Sequence, residues 1–314
     1  MTDPSADGFE ALRLPVQPTA PRSAFALDLR ARLHRRLGLD APPGVAPMPK
    51  AAGLEYEIGG NPDGEAVLLM HAGTATAFAP LMVEPDLADR YRLVRYHRRG
   101  FAGSDAFDGE ASIASHAGGA LALLEHLGIE CAHVVGHSGS GVMALQLALD
   151  APSAVRSLVL EEPAIHAIDP LWDAIMLRAI TPLIELYRAG DARGAMEQWM
   201  RGISRDWRVD LARTVPGGPQ QTLDDAAAFF EDVEAVLAWP FDHTRVGTLA
   251  LPVLYVVGTG SNPLTHAVMG RFQTLVPQAE TAVIPGASHM LHTDQPQLVA
   301  AELSAFFDRH TNRA

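Results

Sequence analysis

From about residue 54 onward, short and mostly apolar runs alternate with stretches of helical spacing. Val67–His71, Arg92–Tyr96, His133–Val135, Ser157–Leu160, Val253–Val257 and Thr281–Ile284 predict strands. Ile113–Leu127, Val142–Leu149 and Pro296–Phe307 predict helices between or after them; Ser112 and Ser115 are available as caps for the first, and Gly128 as its stop. Strands apolar throughout, rather than apolar on every second residue, are those buried on both faces. The pattern therefore predicts an α/β fold with a mostly parallel central sheet and helices on both sides.

The alternation stops between Pro163 and about Val246. There the spacing predicts helices only, over Leu171–Ala189, Ala192–Ile203 and Leu223–Leu237, the last after the breaker Pro216-Gly217-Gly218-Pro219. A long insertion of this kind between two strands is expected to form a lid or binding element. Residues 1–50 differ again: proline-rich flanks enclose a helix-like run from Ser23 to Leu39, with Leu29, Leu33 and Leu37 on one narrow stripe. That stripe is expected to pack on the main domain or, alternatively, to make a homodimer contact. The expected organisation is an N-terminal extension (1–50), a core (51–163 and 246–314) and a helical lid (164–245).

Composition narrows the partners. A formal charge of -13 over 314 residues argues against nucleic acid, which needs a basic face. The arginines at 30, 32, 35 and 36 read as a solvated helix face. Cys131 is the one cysteine, so no internal disulfide or multi-cysteine metal site is available, and it is expected to be a small buried residue. No histidine and carboxylate cluster has metal-ligand spacing, and no cofactor is expected. No apolar stretch approaches the roughly 20 residues that span a bilayer, and no secretory signal is recognised, so no membrane partner and a cytoplasmic location are expected.

The chemistry concentrates where the strand His133–Val135 runs into Gly136-His137-Ser138-Gly139-Ser140-Gly141. This segment resembles the nucleophile elbow of the α/β-hydrolase family, a strained strand–turn–helix bend that lifts a serine hydroxyl above the sheet. Ser140 stands where the common pattern has glycine. Ile284-Pro285-Gly286-Ala287-Ser288-His289 is similar to the family's late histidine loop, and Val67–Gly73 and Arg98–Asp105 are similar to its oxyanion strand and its Arg-Gly-x-Gly-x-Ser-Asp turn. The resemblance, over residues 54–310, implies Ser138 as nucleophile and His289 as its base, with His292 as a competitor expected in a supporting or surface position. It implies the amides of Gly139 and Gly73 as oxyanion donors, with Ala72 in place of a usual glycine, and His71 as a residue orienting that loop.

One expected residue is missing. The family's acid usually follows the strand Val253–Val257, where this chain reads Gly258-Thr259-Gly260-Ser261-Asn262-Pro263. Some branches of the family supply it from the preceding strand, here Glu161 or Glu162. Alternation sends only one of these two side chains to a given face, and alignment with those branches favours Glu162. The implied activity is a serine hydrolase acting on an ester or lactone of modest size, a small-molecule substrate. Trp172, Met176 and Trp199 of the insertion are candidate substrate contacts. Thioester, amide and carbon–carbon cleavage use the same machinery. The absent acid at Ser261 also leaves open a non-hydrolytic rearrangement or a ligand-binding role on this fold.

Overall fold

The computed structural model describes residues 48–311. The N-terminal stripe of Leu29, Leu33 and Leu37 lies outside them. Eight strands form one sheet: β1 (Lys50–Ala51), β2 (Leu54–Gly60), β3 (Ala66–Met70), β4 (Arg92–Tyr96), β5 (Ala132–His137), β6 (Val155–Glu161), β7 (Val253–Gly258) and β8 (Glu280–Ile284). Their order is β1-β2-β4-β3-β5-β6-β7-β8. β1 with β2 and β2 with β4 pair antiparallel; all other pairs are parallel.

The helices are α1 (Pro85–Ala88), α2 (Ile113–His126), α3 (Gly139–Asp150), α4 (Pro170–Arg188), α5 (Ala192–Ile203), α6 (Trp207–Thr214), α7 (Gly218–Asp224), α8 (Ala226–Ala238), α9 (His243–Gly247), α10 (Pro263–Leu275), α11 (Leu291–Asp294) and α12 (Pro296–Arg309). Among the described residues, no helix is long and apolar enough to cross a membrane. Ser112 caps α2, exchanging hydrogen bonds with Ser115 in a capping box.

β3 shows why the parallel strands lack alternation. Leu68 and Met70 join the core under α2 and α3, while Val67 and Leu69 join the core under α1 and α12, and all four are fully buried. The expected α/β class is therefore what forms. The antiparallel edge β1–β2 and helix α10 add to the elements read from the sequence. Between β6 and β7 the chain is helical from α4 to α9, with its own apolar core of Ile180, Leu183, Met196, Trp207 and Phe230. The Pro-Gly-Gly-Pro segment both separates α6 from α7 and starts α7. Gly217 takes a left-handed φ of 81° and Pro219 sits in the first turn of α7, so Leu223 lies in the last turn of that helix, which ends at Asp224, and α8 starts at Ala226. Cys131 is half-buried rather than buried, and partial burial raises its thiol pKa.

All the loops that carry candidate chemistry leave the carboxyl ends of parallel strands, the usual ligand-binding edge of such sheets. His71, His97 and His137 lie at this edge, and His133 near the amino end of β5. Burial first, with nearby cationic groups adding, pushes His71, His97, His133 and His137 below the ordinary imidazole range, His133 to about 3. These rings are neutral in the fold but take up protons in the unfolded chain below about pH 6.5, where each lowers stability by up to about 1.4 kcal/mol per pH unit. Their contribution is complete above that pH and drains as pH falls. Thermal unfolding followed by circular dichroism should show a Tm flat from pH 8 to 7 and falling steadily below about 6.5. His133→Gln should remove one proton's worth of that slope.

Candidate active site

β5 ends at His137, and Ser138 turns the chain into α3 with φ 54° and ψ -121°. A left-handed φ is strained for any residue with a Cβ, and such strain persists only when the surroundings hold it. Here the Ser138 amide donates to the Glu161 carbonyl at 2.9 Å, and the Ser138 carbonyl accepts from Gly141 and Ala164, each at 3.0 Å. A Cβ at Gly136 would lie 2.5 Å from the Ser140 carbonyl oxygen, and one at Gly141 would lie 2.7 Å from Pro163 Cβ. The crowded positions are therefore 136 and 141. Position 140 has room for a hydroxyl, and Ser140 Oγ uses it: it accepts from the His137 amide at 3.1 Å and reaches the Met70 carbonyl at the end of β3.

Glu162 leaves the end of β6, also with a left-handed φ of 42°. Its carboxylate is buried and its acceptors are occupied. Oε2 lies 2.7 Å from His289 Nδ1, while Oε1 accepts from the Gly258 amide at 2.9 Å and from the Ser261 hydroxyl. Ser261, at the position where the sequence lacks an aspartate, thus donates to the glutamate one strand away. The His289 loop is held close to this strand end: a Cβ at Gly258 would fall 2.3 Å from the Ala287 carbonyl, and the Gly260 amide donates to that carbonyl at 2.8 Å.

Glu161 points to the other face and meets His292 instead, at 2.9 Å, with both side chains fully buried. His292 is thus not a surface residue. Between the two histidines lies a third that the sequence reading left without a role. The His137 ring is 4.6 Å from that of His289 and 4.7 Å from that of His292. Its Nε2 donates to the His289 carbonyl at 2.8 Å, fixing the tautomer, because a carbonyl can only accept. Its place inside the elbow was the available signal.

Across the site, His71 Nδ1 lies 2.7 Å from the Ala72 carbonyl, and its Nε2 accepts from the Arg98 amide at 3.0 Å. Arg98 donates from Nε to the His71 carbonyl at 2.8 Å and from Nη2 to the Ala72 carbonyl at 2.7 Å. A trans peptide points its N–H opposite its C=O, so this grip on the Ala72 oxygen fixes where the Gly73 N–H is aimed. The amides of Gly73 and of Gly139, the first residue of α3, have no acceptor among the described residues. Ala72 has no left-handed φ, so the glycine usual there is not needed for conformational freedom.

Ser138, His289, Glu162, Gly73 and Gly139 all line one cavity of about 1350 Å³, mouth included. Trp172 and Met176 of α4 and Trp199 of α5 line its far wall. So do Phe229, Val233 and Val236 of α8, and Asn262 and Thr265 beyond β7 add polar groups. The structure thus brings Ser138, His289, Glu162, Gly73, Gly139, Trp172, Met176 and Trp199 to one cavity, while Glu161, His292 and His71 do not line it. Such a setting can support acyl transfer: a hydroxyl, an imidazole backed by a carboxylate, and two unpaired amides around an apolar chamber.

The comparison with known proteins agrees with this fold. The alpha/beta hydrolase family profile matches residues 67–302. A putative carbamate hydrolase RutD of Caulobacter sp. (strain K31) is 35% identical over 263 residues, 81% of this chain and 95% of that protein. Another putative carbamate hydrolase RutD, from Variovorax paradoxus (strain S110), is 39% identical over 109 residues, 34% of this chain; over that stretch the chain spans 41% of the relative's length. Among solved structures, the enol-lactonase from Burkholderia xenovorans LB400 superposes with a TM-score of 0.68 at 19% identity, over 81% of this chain and 96% of that one. With the fold, the elbow and the matched profile in agreement, the chain belongs to the alpha/beta hydrolase family.

Proposed function

We propose that the protein is a serine hydrolase that cleaves a neutral ester or lactone of modest size through an acyl-enzyme. The observation that carries this reading is the 2.7 Å contact between Glu162 Oε2 and His289 Nδ1, in the cavity that also holds the strained Ser138. A carboxylate on Nδ1 keeps the proton on that nitrogen and leaves Nε2 as the base. In the proposed reaction, Nε2 takes the Ser138 proton as Oγ adds to the substrate carbonyl. The resulting oxyanion is held by the amides of Gly73 and Gly139. The imidazolium then gives its proton to the leaving oxygen, and water, activated by the same ring, releases the acid.

The chamber supports the choice of substrate. Its walls from the helical insertion are mostly Trp, Met, Ile, Phe, Val and Leu side chains, with His166 and Asp232 among them, suited to an apolar acyl or alkyl group, and the insertion acts as a lid that excludes water. Arg98, the arginine in the lining, is already paired with Asp232 and two carbonyls, so it is not free to receive a substrate carboxylate. A carbamate, the substrate class in the names of the two relatives, offers a similar carbonyl to the same serine.

A fluorophosphonate probe should label the protein once, at Ser138, and Ser138→Ala should abolish both labelling and turnover of p-nitrophenyl esters, read by mass spectrometry and absorbance. Absence of labelling would favour a binding or rearrangement role. Glu162→Gln should lower kcat by about 10³- to 10⁴-fold with a small change in KM, as when a triad loses its orienting carboxylate. Glu161→Gln, whose side chain serves His292, should retain most turnover; the reverse ranking in steady-state kinetics would move the acid to Glu161.

A further inference from the structure

Helix α8 lies over both unpaired amides. Phe229, Asp232 and Val236 fall at i, i+3 and i+7, on one face of the helix. The Phe229 ring occupies the space a Cβ at Gly73 would need, 2.6 Å away, and Val236 Cγ2 is 3.6 Å from where a Cβ on Gly139 would sit. Between these two contacts, Asp232 reaches Arg98 with one carboxylate oxygen and His116 Nε2, at 2.6 Å, with the other. Asp232 and Arg98 are 5% and 2% exposed. The guanidinium thus faces two ways: one end on the helix that roofs the cavity, the other on the carbonyls of His71 and Ala72.

Burial by itself would raise the Asp232 carboxyl. Arg98 and His116 outweigh it and hold the group below its ordinary range, so it is an anion at neutral pH. A buried charge pair is a poor source of net stability, because desolvation offsets most of the attraction. A greasier contact would seat α8 as well. The pair does differ from an apolar contact in one respect: it transmits the position of the helix to a specific peptide plane.

We propose that Asp232 and Arg98 are positioning residues that couple the seating of α8 to the oxyanion hole, Asp232 holding the guanidinium in the orientation that aims the Gly73 N–H at the reacting carbonyl. The proposal rests on the serine-hydrolase reading above. When α8 is seated, Arg98 grips the Ala72 oxygen and the Gly73 amide faces the cavity.

Two variants test this. Asp232→Asn keeps the shape but removes the charge. Arg98→Lys keeps the ion pair but loses the planar fork that spans both carbonyls. Each should lower kcat for an ester by about 10²-fold or more, the scale set by losing one oxyanion donor, with KM within about threefold of wild type. Each should also weaken binding of an aryl trifluoromethyl ketone, whose serine adduct carries an oxyanion, by a factor that tracks the fall in kcat/KM. A purely structural pair would lower Tm without that correspondence. Folded variants whose kcat and ketone affinity stay within about threefold of wild type would overturn the coupling. If Asp232→Asn does not fold, Arg98→Lys, which leaves no uncompensated charge, decides the matter alone. A wild-type protein that neither hydrolyses esters nor binds the ketone overturns the serine-hydrolase reading and the coupling with it; an active wild type with unaffected variants overturns the coupling only.

Discussion

A carboxylate removed from water must be met by donors, and much of the site is arranged around meeting that of Glu162. Its two oxygens take His289 Nδ1, the Gly258 amide and the Ser261 hydroxyl. Those three groups come from two further strand ends, β7 and β8, so satisfying one side chain fixes the relative positions of three loops. The left-handed backbone of Glu162 and the absence of a side chain at Gly258 follow from the same convergence, since β7 and the histidine loop approach too closely for a Cβ between them. Burial without these partners would cost several kcal/mol, so the loops and the acid stand or fall together.

Much of this was legible in the sequence, for identifiable reasons. The parallel strands announce themselves because both faces are buried, and the elbow because Gly136 precedes a serine at a strand end. The carboxylate was harder. Its usual position held Ser261, and only the pair Glu161-Glu162 at the end of β6 offered a substitute. Alternation said that the two glutamates must face opposite ways but not which way each one faces; the bend at Glu162 decides that. What could not be read was contact between distant segments. Nothing local in Ser261 says that it donates to residue 162, nothing in His137 that it holds the His289 carbonyl, and nothing in Asp232, one of three acidic residues on its helix, that it meets Arg98. Pro216-Gly217-Gly218-Pro219 misleads for the opposite reason: its residues are breakers within a helix, but a left-handed glycine followed closely by proline is also a good way to begin one.

Two neighbouring glutamates also divide the late loop's histidines between them. Glu162 holds the half-buried His289, whose side chain keeps 27% of its surface accessible, and Glu161 holds His292, which keeps none. His137 lies between the two rings. The loop is therefore fixed from below by groups that do not face substrate, while the imidazole facing the cavity stays free on its outer nitrogen.

The sheet order bears on which strands supply the proposed chemistry. Ser138 and Glu162 leave β5 and β6, neighbours in both sequence and space, and the groups that hold Ser138 in its strained turn lie between β3 and the residues just after β6. The imidazole arrives only after β8, at the far side of the helical insertion. On the proposed reading, residues up to β7 supply the serine and the carboxylate but not the imidazole that would accept the hydroxyl proton. The base is therefore supplied by the last strand in the chain, β8, and the scaffold of the site by the strands before it.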